Sequence, residues 1–157
     1  MKAAIVTGFG ETPKYGDFED PSPKPGEEKI SVIASALSNF TKGSASGYLG
    51  KGTGSFPFIA GVDGVGWTED RRRVYFLMPR VPFGAIAQNV VVPSDHCITL
   101  PDGVDDVIAA AIANPGMSAW SAFKDVASMK PGDNVLINGA TGIAGKLAVQ
   151  IAKHLGA

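Results

Sequence analysis

The sequence predicts a mainly β domain followed by a single β–α unit of an open α/β sheet. Two observations predict it. Up to about Leu100, short β-prone segments alternate with Gly, Pro and Asp; after Pro101 the apolar period lengthens to that of helices, and the chain closes on a strand, a glycine turn and an apolar-faced helix.

The first part reads as a mostly antiparallel β domain. Strands are expected at Ala3 to Thr7, Lys29 to Ala36, Arg73 to Leu77, Ala85 to Val92 and Cys97 to Leu100. Asp20 to Gly26, rich in Pro and Gly, is an extended surface connection. Phe40 to Gly54, rich in Gly and Ser, reads as a short helix followed by a mobile loop. Arg71, Arg72 and Arg73 read as a solvated turn rather than a phosphate site.

Past Pro101, Val107, Ile108, Ala111 and Ile112 follow Asp105 and Asp106, which is a helix with acids in its first turn. Pro115 ends or kinks it, and a second helix is expected from about Met117 to Ala127. The division falls there, giving domains at 1–127 and 128–157.

Val135, Leu136 and Ile137, bounded by Pro131, Gly132 and Asp133, suit a parallel strand covered on both faces. The turn runs Gly139, Ala140, Thr141, Gly142, Ile143, Ala144, Gly145. Behind it Ile143, Leu147, Ile151 and Leu155 recur every four residues, with Ala144, Ala148 and Ala152 beside them, and Gly156 is a stop signal. Glycines let the backbone bend tightly and approach a diphosphate, while free N–H groups and the dipole at the helix start attract its charge. The same turn also serves, in other proteins, only to pack a strand against a helix.

At 157 residues and 45% hydrophobic content the chain can bury a substantial core. A net charge of −1 gives no electrostatic footprint for nucleic acid or an anionic membrane, so neither partner is expected. Cys97 is the only cysteine, which excludes an intrachain disulfide and any multi-cysteine zinc site. No run approaches the roughly 20 apolar residues of a membrane span, and Ala3 to Val6 is too short for a signal peptide. A soluble, cytoplasmic protein is expected.

The order of several motifs carries a resemblance. They are Met1-Lys2-Ala3-Ala4, Pro25-Gly26-Glu27, Gly61-Val62-Asp63-Gly64-Val65-Gly66, Phe83-Gly84-Ala85-Ile86-Ala87 and Val90-Val91-Val92-Pro93. Leu100-Pro101-Asp102-Gly103, Gly116-Met117-Ser118-Ala119-Trp120 and the turn Gly139 to Gly145 complete the set. Over nearly its whole length the chain resembles the zinc-free, quinone-oxidoreductase-like branch of the medium-chain dehydrogenase/reductase superfamily.

That resemblance implies a GroES-like catalytic domain followed by the first β–α unit of a Rossmann domain, truncated. It implies an NAD(P)H-dependent oxidoreductase acting on a small carbonyl, quinone or enone, with NADPH (or NADH) as cofactor and no zinc. A zinc-dependent relative would carry Cys near Ser38 or Asn39, a His-Glu pair at Val62-Asp63 and a third ligand near Asn114; no metal site is expected. The branch usually has Asn followed three residues later by Asp, whereas here Asn39 is followed by Lys42. A homodimer is possible, since family dimers commonly pair through the Rossmann edge.

The resemblance makes Gly139, Ala140, Thr141, Gly142, Ile143, Ala144 and Gly145 the diphosphate cradle and brings Ser118 to the nicotinamide. Ser118 equally suits an N-cap of the second helix. Hydride addition builds charge on oxygen, and Asn39, Tyr48 and Lys42 are the available donors. Asn39 equally suits the cap of its short helix, Tyr48 core packing and Lys42 a solvated face. Asp63 is expected to order its Gly-rich turn. Asp95, His96 and Cys97 alternate on a strand and cannot converge on one ion; His154 suits a helix C-terminus.

One strand and one helix cannot complete a doubly wound sheet, and the strand that recognises the adenosine ribose lies about 20 residues past the turn. The chain alone is therefore expected to be inactive, with a non-catalytic binding or assembly module as the alternative.

Overall fold

Among residues 1–48 and 55–157, which the computed structural model describes, eight strands pair antiparallel in two sheets. The first sheet has the order β2 (Lys14–Asp17), β1 (Lys2–Val6), β4 (Phe58–Ile59). The second runs β7 (Asn89–Pro93), β3 (Glu27–Ser35), β5 (Asp63–Thr68), β6 (Arg73–Leu77), β8 (Cys97–Thr99). They fall in one of two compact units, Met1–Ala110; the other is Ala111–Ala157.

The core of the first unit is drawn from both sheets. Ala3 and Ile59 meet Ile30, Val74, Phe76, Val90, Val91 and Val92, all buried. Three consecutive buried valines mean that β7 is covered on both sides, so it shows no alternation of apolar and polar residues. The expected strand Ala85 to Val92 is shorter in the structure. Ala85 and Ile86 instead bond to Gly61 and Ala60 backbone, and pairing as a strand begins only at Asn89.

β5 falls where the sequence predicts a Gly-rich turn beside Asp63. Gly64 and Gly66 permit β3 to lie against it: a Cβ at Gly64 would stand 2.6 Å from the Ala34 carbonyl oxygen, and at Gly66 2.4 Å from that of Ser31. Glycine is here a packing requirement, not a bend. The β5–β6 turn places Arg71 at φ 64, while Arg72 and Arg73 turn inward to protein partners. Only part of the tri-arginine run is thus a solvated turn.

α1 (Asn39–Ser46) begins at Ser38, whose hydroxyl accepts from the Thr41 amide at 3.1 Å. It stops at Gly47 in the left-handed region, where any side chain would strike the Phe9 ring. Tyr48 follows; the remainder of the expected loop, residues 49–54, lies outside the described residues.

α2 (Asp106–Ser121) starts where Asp105 accepts from the Ile108 amide at 2.9 Å. Arg73 ties this start to β6 by donating to the carbonyls of Pro101 and Val104 and to Asp106. Of the two outcomes expected at Pro115, an end or a kink, the end does not occur: the helix continues to Ser121 and then widens into one π-type turn, Ala122–Val126. Loss of a single amide is tolerated because the flanking turns remain bonded.

α3 (Ile143–His154) buries Ala148 and Ala152 and sets Leu147 and Ile151 against Gly116. It closes with Lys153 and His154 beside its free carbonyls and Gly156 at φ 99, as the stop signal predicts. The strand expected at Val135 to Ile137 is corrected: these residues pair with no strand among those described, and Leu136 is 97% exposed. Isolated extended backbone has no ladder to join. Among the described residues no helix is long and apolar enough to cross a membrane.

Candidate functional site

The turn that enters α3 is held by its own backbone. Gly139 sits at φ 75, which favours glycine, and its carbonyl accepts from the Gly142 amide at 3.1 Å. Gly142 is the N-cap in extended conformation, and its carbonyl accepts from Lys146 at 2.9 Å. No side chain caps the helix. The amides at Ile143, Ala144 and Gly145 therefore form the positive end of the helix dipole, with no acidic residue in the first turn.

Gly145 fixes the shape of this cradle. A Cβ there would stand 2.2 Å from the Gly139 carbonyl oxygen and 2.7 Å from Ala140 Cα, so only glycine lets the turn fold back on the first helical residues. Residues 139–144 are exposed. Open amides, a tight glycine bend and no anionic side chain in place fit the diphosphate of a dinucleotide.

The three expected donors do not converge. Asn39 is exposed and, contrary to the capping role expected of it, is the first residue of α1; Ser38 is the cap. The Ser38–Thr41 pair, three residues apart and joined through their hydroxyls at 3.2 Å, lies one residue before Asn39 and Lys42, the positions compared with the usual Asn and Asp. Thr41 is buried and donates to the Ala36 carbonyl. A Ser three residues before a hydroxyl-bearing residue at a helix start was the signal that could have found it. Tyr48 is 87% exposed and packs on no core. Lys42 alone lines a cavity of about 540 Å³, whose walls include Ala4, Ala60 and Ile86 opposite Leu37, Thr41 and Ala45.

The capping role of Ser118 is corrected as well: the residue lies inside α2, exposed. The continuity of α2 through Pro115 removes the second helix start that would have given it that role.

Asp63, expected to order a turn, is instead the first residue of β5 and fully buried. Tyr75 donates its hydroxyl to Oδ2 at 2.9 Å. Burial pushes the Asp63 carboxyl above the usual carboxylate range, and the Tyr75 hydrogen bond offsets part of that rise. Burial and the neighbouring carboxyl raise Tyr75 likewise. Burial pushes the Cys97 thiol up to about 11, which makes it a poor nucleophile. Among the described residues no three His, Cys, Asp or Glu side chains gather to hold a metal ion.

Set beside known proteins, this combination recurs. A quinone oxidoreductase from Thermus thermophilus, whose structure was determined alone and with NADPH, superposes with a TM-score of 0.87 at 33% identity, covering 99% of this chain and 50% of that one. A probable NADPH-dependent quinone reductase of Emericella nidulans is 28% identical over 189 residues, covering 100% of this chain and 53% of its own. The chain resembles part of the quinone oxidoreductases of the medium-chain dehydrogenase/reductase superfamily. A mycocerosic acid synthase-like polyketide synthase of Mycobacterium tuberculosis is 33% identical over 169 residues, all of this chain but 8% of that one. No family model matches. The chain spans about half the length of these reductase relatives. Its fold, mostly strands with a few helices, matches half of these reductases and is consistent with a truncated GroES-like domain, with the bend Gly139–Gly145 at the entry to α3.

Proposed function

We propose that these residues belong to an NADPH-dependent, zinc-independent reductase of quinone or activated-alkene type, and that Gly139 to Gly145 receives the cofactor's diphosphate. The observation that carries this reading is the Gly145–Gly139 approach behind an uncapped helix start. When bound, NADPH supplies a hydride. The chain's own residues do the rest: the amides of Ile143, Ala144 and Gly145 hold negative charge, and the glycines keep side chains out of its way. Lys42, on the wall of the cavity, donates to the oxygen on which charge develops. Asn39 and Tyr48, exposed on and after the same helix, are proposed as further donors, and Ser118 as a residue near the nicotinamide. NADPH is preferred to NADH by the named ligand of the Thermus relative.

Turnover is proposed for a protein of the relatives' length; these 157 residues alone are proposed to be inactive, because Val135 to Ile137 pair with no strand among the described residues. A second chemistry, reduction of an enoyl thioester, is favoured by the polyketide synthase match. The alternative of a non-catalytic module rests on the self-contained core of Met1–Ala110. Calorimetric titration with NADPH separates these: a chain of the relatives' length binds it at micromolar concentration and the 157 residues bind it negligibly. Failure of the longer chain to bind would overturn the reading.

A further inference from the structure

Asp63 is a fully buried side chain of charged type that the proposed reaction does not use. Its main chain is satisfied, the carbonyl accepting from Ser35 Oγ at 2.8 Å. Its carboxyl is not: Tyr75 serves Oδ2, while Oδ1 is buried without a hydrogen-bond partner among the described residues. An ionised carboxylate enclosed with one donor and no cation lacks what normally offsets its desolvation.

The charges of the flanking strands stand elsewhere. On β3, Ser35 lies opposite Gly64 and Ile30 opposite Thr68, so Glu27, Glu28 and Lys29 sit at the far end and are engaged with Arg80, Arg72 and Asp20. On β6, Leu77 lies opposite Asp63 and Arg73 opposite Trp67; Arg73 bonds to Asp106. Cys97 on β8 lies opposite Phe76 and responds to Glu28, Arg72 and Asp95. Tyr75 is the titratable group that bears on Asp63.

We propose that the buried Asp63–Tyr75 pair makes the β5–β6 region a proton-linked element, in which uptake of one proton at Asp63 strengthens the β domain as the pH falls from neutrality. The sign follows from linkage. The folded form holds this proton more tightly than the unfolded chain, so the contribution is fully present below the unfolded aspartate value and is lost as pH rises through the folded one. Asp17, Asp20, Glu27 and Asp70 act oppositely: each is held below its usual value, chiefly by a hydrogen bond from Lys2, Lys29, the Lys24 amide and Thr68 respectively. Their contributions vanish as pH falls through their folded values, so Asp63 is visible only in a difference.

The test is the gap in unfolding free energy between the wild type and Asp63→Asn, measured in urea between about pH 4 and 8, with carboxyl-carbon NMR of Asp63 in the wild type. The amide keeps an acceptor for Tyr75 without the charge. The expected result is that Asp63→Asn gains on the wild type as pH rises, that Asp63 titrates above ordinary aspartate, and that Tyr75→Phe raises its midpoint further. A gap flat with pH, or an Asp63 midpoint at or below that of ordinary aspartate, overturns the proposal. Should Asp63→Asn not fold, the wild-type carboxyl titration decides alone.

Discussion

Gly145 lies so close to Gly139 that a Cβ on the first would stand 2.2 Å from the carbonyl oxygen of the second. Backbone, not a yielding side chain, is the obstacle, so Gly145→Ala must open the turn. The expected cost is about 1–3 kcal/mol of stability in the Ala111–Ala157 unit, by overpacking. In a chain of the relatives' length, NADPH affinity is expected to fall at least about tenfold, since the amides no longer converge. Gly139→Ala meets no atom within 4 Å but must hold φ 75, and should cost only about 1 kcal/mol. Urea unfolding and NADPH titration of both variants check this ranking.

Ser38, not Asn39, caps α1. Ser38→Ala should lose about 1 kcal/mol, because the Thr41 amide is left without an acceptor and the Thr41 hydroxyl loses a partner. Asn39→Ala, on an exposed side chain, should change stability by less than about 0.5 kcal/mol. Equal effects in denaturant melts would contradict the assignment of the cap.

Arg73 joins β6 to the start of α2 through two carbonyls and Asp106. Arg73→Met should cost about 1.5–3 kcal/mol, the range for hydrogen bonds to a charged group. Arg73→Lys should recover only part of this, because one ammonium cannot span Pro101, Val104 and Asp106 with the fork geometry. Thermal melts of the two variants test it.

Lys42 lines the apolar cavity, and the proposed chemistry gives it the developing charge. In a chain of the relatives' length, Lys42→Met should lower kcat by about 10²-fold, the scale of losing one oxyanion donor, with KM little changed. Unchanged kcat would return Lys42 to a solvated helix face.

Much of the β domain was legible from the chain, and the exceptions share a cause. β1, β3, β6 and β8 are legible as short β-prone segments bounded by Gly, Pro and Asp, and Arg73–Leu77 matches its expected bounds. β5 was not, since Gly64 and Gly66 signal a turn unless one knows that β3 presses against them. β2 and β4 are too short and too dependent on β1 to carry a period of their own. α2 was divided in two at Pro115 because a proline rule is local, whereas the helix is held on both sides of it. The glycine turn was plain because its requirements are all within seven residues. Its neighbour Val135 to Ile137 was not, because a strand exists only with a partner. The capping pair Ser38–Thr41 is not legible in the same way, because Asn39 is as good a cap by residue type and stands one residue further along.

The most direct test of the diphosphate cradle is an NMR titration of the 157-residue chain with inorganic pyrophosphate, following backbone amides. The account predicts weak, saturable shifts concentrated at Gly142, Ile143, Ala144 and Gly145, and their loss in Gly145→Ala. Shifts scattered over surface lysines, or a response at the turn that survives Gly145→Ala, would contradict it.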